Sequence, residues 1–344
     1  MQQISFLIVI SIFYTFGCQS KQSVIPKSEV NAGIPSFIHF KDSLEASKAI
    51  VTDDMDGFFE KISISDMHLQ MKITNSGKQR IQLLKEYKTF LSTEVLDWTF
   101  DEKQKLYLIF DSIRTLCNVI NPKLYPEKLS LVKIRTNHYG PDVYYTRANM
   151  ILVPENVLKT DDFTSLIPVM VHELFHVVSR FQPKLRDSLY ALIGFHPNPF
   201  QPSLCEELKD RILTNPDGTN LGYTITLGDS IEASPVIFST SKTYNPLKPR
   251  FFEYLHFDLF KYTTSGGSAF LECGKDASTT LQPQVMPDFF RQIKDNTQYI
   301  IHPDEIMAEN FKMALLIRTE EDRKTFSPEG NLLLDQVMAV IRKW

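Results

Sequence analysis

His172-Glu173-Leu174-Phe175-His176 constrains this chain more than any other stretch of its sequence. Two imidazoles four residues apart lie on one face of an α-helix, one turn above each other. At that spacing both can hold a single Zn²⁺, and Glu173 is placed to take a proton from a water activated there. The flanks predict the helix itself. Pro168 suits a first turn, where no N–H is needed, and Ile167, Val169, Met170, Val171, Leu174, Phe175, Val177 and Val178 are apolar enough to be buried. The competing reading is a structural helix with two incidental histidines. It would bury two imidazoles and a glutamate without partners, which is costly.

A catalytic zinc takes three protein ligands and leaves a position open. A third histidine six residues beyond His176 is absent, because Gln182 stands there. Two other segments offer acidic pairs at helical spacing. In His302-Pro303-Asp304-Glu305-Ile306-Met307-Ala308-Glu309, Pro303 can start a helix, Glu305 and Glu309 share one face, and Ala308 permits close helix approach. In Glu206-Glu207-Leu208-Lys209-Asp210, Glu206 and Asp210 have the same spacing, but the segment is charged and follows a proline-rich loop. Glu305 is therefore the preferred third ligand, with Glu206 or Glu207 as the alternative.

These residues resemble the gluzincin-type zinc metallopeptidases, whose HExxH helix is completed by a glutamate on a second helix. There an acidic residue one turn later hydrogen-bonds a ligand imidazole, a role that falls on Glu309 here. Glu309 departs from the usual E-x-x-A-D pattern, in which the last residue is aspartate. The resemblance covers roughly residues 129–181 and 300–316. It implies one Zn²⁺ per chain held by His172, His176 and Glu305, Glu173 as the catalytic base, and a peptide or protein as substrate. Tyr223, Tyr254 and His256 are the candidate donors to a reaction oxyanion. His138, His196 and His302 read as loop histidines.

The expected fold is α+β and predominantly helical, with a short sheet, the HExxH helix and a helical C-terminal half. Leu129–Arg135 and Met150–Pro154 read as strands around a turn at 137–142, and the edge strand beside the cleft is expected at about Asn149–Val153. The periodicity over Lys78–Ile120 is helical, and further helices are expected over Leu185–Ile193, Pro303–Leu316 and Leu332–Arg342. The organisation read from this is a mainly helical region over 36–128 and a zincin-like domain over 129–344.

Residues 1–17 form a short apolar leader ending in Gly17-Cys18. This resembles the lipobox of bacterial lipoproteins, although Met1-Gln2-Gln3 carries no basic residue; an uncleaved N-terminal anchor is the alternative. The resemblance implies lipidation at Cys18, a tether over 18–35 and a place in the bacterial cell envelope, with Gln19 favouring the outer membrane. A net charge of −4 with no long run of like charge argues against nucleic acid as a partner. No CxxC pair occurs among the four cysteines. Cys117 reads as core, while Cys205 and Cys273 can pair in an oxidising compartment. A zinc-stabilised envelope binding protein or assembly factor without catalysis remains the second functional reading.

Overall fold

The computed structural model describes residues 37–344 apart from Asn75, Asp161 and Arg318. The leader 1–17, the tether 18–35 and Cys18 lie outside the described residues. Two sheets and a larger share of helix than of strand make a mixed α/β fold.

The first sheet contains β1 (Ile38–Phe40), β2 (Val95–Leu96), β3 (Leu129–Ile134), β4 (Tyr145–Arg147) and β5 (Met150–Pro154). Its order is β1-β3-β5-β4, with β2 pairing antiparallel to one end of β3. β1, β3 and β5 run parallel, and β4 is antiparallel to β5. The two-residue alternation of strand side chains divides two cores. Leu129 and Leu131 of β3, with Ile151 and Val153 of β5, face a large cluster that holds the helices Phe100–Ile120 and Ile167–Phe181. Val132, Ile134, Met150 and Leu152 face a second cluster built on Ser43–Ala49, Ile64–Met71 and Arg80–Thr93. Residues before 129 thus supply strands and both covering layers of this sheet.

One expectation about this sheet is corrected. β5 lies between β3 and β4, so the free edge belongs to β4 rather than to residues 149–153. Three residues of strand between turns are too few for an alternation to be visible in sequence.

The second correction concerns the C-terminal half. Residues 195–271 form a six-stranded sheet in the order β6-β8-β9-β10-β11-β7. Its members are β6 (Phe195–Pro197), β7 (Pro202–Ser203), β8 (Tyr223–Leu227), β9 (Ile231–Ser239), β10 (Leu255–Ser265) and β11 (Ser268–Leu271). Pro235 sits inside β9, a central strand, where proline ordinarily argues against strand structure, and this interrupts the sequence signal. Cys205 and Cys273 form a disulfide beside this sheet. Cys117 is buried in the large core, and burial pushes its thiol up to about 12. The expected helices are present at Pro183–Ala191, Pro303–Leu316 and Pro328–Lys343. Among the described residues no helix is long and apolar enough to cross a membrane.

Candidate metal centre

Helix Ile167–Phe181 starts with Pro168 in its first turn and ends at Gln182. Met170, Val171, Leu174, Phe175 and Val178 enter the large core. That leaves His172, Glu173, His176 and Arg180 at positions that recur on another side of the helix. All four are nonetheless buried, because helix Pro303–Leu316 packs across them. Fully buried Ala308 allows the close approach, and Phe175 meets Phe311 with ring centroids 5.2 Å apart. The second helix is capped by its own His302, whose Nδ1 accepts from the Asp304 N–H at 3.1 Å. Asp304 and Glu305 then occupy its first turn, where the exposed N–H groups favour anions.

This packing brings His172, His176 and Glu305 together. Glu305 Oε2 lies 3.2 Å from His172 Nε2 and 3.5 Å from His176 Nε2. The outer nitrogens are held separately. His172 Nδ1 is 2.9 Å from Glu309 Oε1, as the sequence implied, and His176 Nδ1 is 2.6 Å from Asp304 Oδ2, a partner the sequence reading missed. Tyr190 donates its hydroxyl to the other Asp304 oxygen. Lys312 Nζ bonds Glu309 at 2.6 Å, and Asn215 Nδ2 bonds Glu305 Oε1 at 2.8 Å. Each imidazole thus has one nitrogen fixed by a carboxylate and the other turned towards Glu305.

The charges follow from these contacts. Burial by itself would lower the His172 pKa, but its hydrogen bonds to the carboxylates of Glu305 and Glu309 outweigh it and push the ring up to about 9. His176, also buried, is raised well above its ordinary value by Glu305, Asp217 and Asp304. Against the opposing effect of burial, the two rings hold Glu305 well below the carboxylate range, and His172 with Lys312 takes Glu309 down to about 2. Without metal the rings therefore carry two extra protons at neutral pH, balanced by Asp304, Glu305 and Glu309. A divalent cation between the Nε2 atoms would deliver the same charge to neutral imidazoles, so the site suits a metal ion.

Glu173 differs from its neighbours. It is only 4% exposed, and its Oε2 has no hydrogen-bond partner. Burial, reinforced by Asp217, pushes its carboxyl up to about 8. An orphaned buried oxygen beside a metal-ligating cluster is a place for a water or a substrate atom. Two groupings of possible ligand atoms, each within 4.8 Å, overlap here: His172 with Glu173 and His176, and His176 with Asp217 and Glu305.

The remaining candidates fall elsewhere. The Glu206 side chain is 83% exposed and pairs with Lys209 in the short helix Glu206–Lys209. Tyr223 donates to Asp187 at 2.6 Å, Tyr254 donates to the carbonyls of Asn245 and Lys248, and His256 rests edge-on against Phe238. None of these three is turned to the histidines. Tyr299 is: its ring lies on that of His172, 6.2 Å between centroids and 26° apart. Its hydroxyl is held well above the usual phenol range by burial and by Glu305, Asp217, Glu173 and Glu309, so it stays protonated. His138 is buried between Glu94 and Tyr145, and His196 pairs with Glu232 at the surface. Asp217, Asn215 and Tyr299 carried no sequence signal, since nothing local distinguishes them from residues in turns or loops, and Asp304 stood on the expected helix with nothing to mark it as an imidazole partner. No family model matches this chain, and no curated protein or solved structure matches it.

Proposed function

We propose that this protein is a zinc-dependent peptidase of the gluzincin type, with His172, His176 and Glu305 as metal ligands and Glu173 as general base. One observation carries the reading: the distances from Glu305 Oε2 to His172 Nε2 and to His176 Nε2. Ligand bonds of 2.0–2.2 Å in a tetrahedron imply atoms about 3.3–3.5 Å apart. The separations to Glu305 are 3.2 and 3.5 Å. The packing of helix Pro303–Leu316 across the HExxH helix, which brings Glu305 to the two imidazoles, supports this reading.

Zn²⁺ at this position would acidify a water and polarise a peptide carbonyl. Glu173, neutral or charged near pH 8, can accept the proton and return it to the leaving amine. Glu309 and Asp304 keep the Nδ1 protons in place, which leaves the Nε2 lone pairs for the metal. Tyr299 supplies a phenol O–H at the face of His172, the donor for a developing oxyanion. The Cys205–Cys273 disulfide suits an oxidising compartment and supports a place in the bacterial cell envelope, with Cys18 as the lipid-bearing residue and envelope peptides or proteins as substrates.

Glu173→Gln should keep its zinc, measured by metal content after dialysis, and lose roughly 100-fold or more in hydrolysis of an unfolded protein substrate. Full activity in that variant would favour the zinc-stabilised binding protein. Undiminished zinc in His172→Ala or Glu305→Ala would refute the ligand set.

A further inference from the structure

The loop Thr214–Thr219 crosses the mouth of the centre and is fastened to it from several sides. Thr214 N–H donates to buried Asp66 at 2.8 Å, and Asn215 Nδ2 reaches Glu305. Arg180, from the last turn of the HExxH helix, donates to the carbonyls of Pro216 and Asp217 at 3.2 and 3.4 Å and pairs with Asp56. Gly218 lies against the ring of His302, where a Cβ would collide. These contacts hold Asp217 in a set position rather than leaving it on a free turn.

From that position the Asp217 carboxylate does two things. Its Oδ1 accepts from the N–H and the hydroxyl of Thr146, both at 2.6 Å. Thr146 belongs to β4, the free edge, and this N–H points away from β5. The same carboxylate lies within 4.8 Å of the ligand atoms of His176 and Glu305. It interacts electrostatically with both. Two buried carboxylates this close need positive charge beside them, which a protonated His176 or a metal ion on its neutral ring supplies. Glu173, whose Oε2 has no hydrogen-bond partner, interacts electrostatically with Asp217.

We propose that Asp217 is a fourth protein ligand of the metal. The resting centre would then be held by two imidazoles and two carboxylates. This rests on the zinc reading above and changes its consequence: a closed set of four is the mark of a resting or structural zinc, whereas catalysis needs a free position. An extended substrate must take both the Thr146 N–H and the coordination position that Asp217 occupies. Asp217 thereby sets which substrates can enter.

Zinc affinity, measured by competition with a chromophoric chelator, tests this together with acetohydroxamate binding to the zinc-loaded protein. Asp217→Asn keeps an acceptor for Thr146 but is a poor ligand; Asp217→Ser serves if that variant does not fold. A ligand should cost more than the roughly 10- to 100-fold that an outer carboxylate contributes, so a loss above about 100-fold is expected. Acetohydroxamate should bind at least about 10-fold tighter to the variant, since a position has been freed. Zinc affinity within about threefold of wild type, a loss no greater than that of Asp304→Asn, or unchanged hydroxamate binding would each overturn the proposal. Failure of the zinc reading is distinguishable: wild type would then take up no zinc, or His172→Ala would match it.

Discussion

Asp304→Asn isolates what a negative charge behind a metal-ligating histidine contributes. In the wild type, Asp304 Oδ2 sits 2.6 Å from His176 Nδ1, and its other oxygen accepts from the Tyr190 hydroxyl. Asp304 is 1% exposed, so solvent does not screen this pair. Asparagine can keep an acceptor oxygen towards Nδ1, so the ring keeps its orientation while the charge disappears. Outer partners of this kind contribute about 10- to 100-fold to metal affinity, or roughly 1.4–2.8 kcal/mol. The loss should not exceed that range, because Glu309 still holds His172 and none of the proposed ligand atoms is removed. Chelator competition for Zn²⁺ is the assay, run at alkaline pH. Asp304 also strengthens the hold of His176 on its own proton, and at neutral pH that competition would mask part of the effect. Asp304→Ala removes position as well as charge and should lose more. Equal zinc affinity in wild type and Asp304→Asn, with both folded by circular dichroism, would refute the assignment of this carboxylate.

Three further outcomes are expected. Replacing both Cys205 and Cys273 by Ser releases a loop with a sequence separation of 68. Chain entropy then predicts a loss of about 4 kcal/mol, read by urea unfolding, and no loss would mean the bridge does not constrain the unfolded chain. Phe311→Ala, at a fully buried site against Phe175, should cost about 3–5 kcal/mol and lower zinc retention, since this contact sets the approach of the two helices. Asp66 is buried and its pKa is pushed up to about 7 by burial, against hydrogen bonds from Thr214 and Gln70. The folded state then binds this proton more tightly than the unfolded chain, so the contribution of Asp66 to stability is greatest below 3.8 and falls as pH rises to about 7, by up to roughly 4 kcal/mol. Asp66→Asn should flatten that fall, and a wild-type-minus-variant difference independent of pH would contradict it.

The legible part of the site was local. His172, Glu173 and His176 share a helix side because of a 3.6-residue repeat, and Glu305 and Glu309 do so for the same reason. A contact of Glu309 with one of the imidazoles followed from the resemblance to the gluzincins. Asp304 did not, because the residue beside Glu305 gives no sign of which imidazole it will meet. The fold divides in the same way. Helices with continuous periodicity, such as 100–120 and 303–316, were readable, as was the strand at 150–154. Of the sheet over 195–271 only the strand-like stretch at 222–227 was readable, since β7 pairs with β11 across some 65 residues and Pro235 breaks the pattern of β9.

What the amino-acid order determined by itself is therefore a set of faces: a helix with two imidazoles and a carboxylate, and another with two carboxylates. Repeats within one helix decide these through backbone geometry alone. Tertiary structure decided which faces meet, that Asp304 and not only Glu309 orients a ring, that Tyr299 rather than Tyr223 looks into the centre, and that Asp217 reaches it from a loop tied to Arg180 and Thr146. Those choices depend on contacts between residues far apart in the chain, and their energies exist only once the elements are packed together.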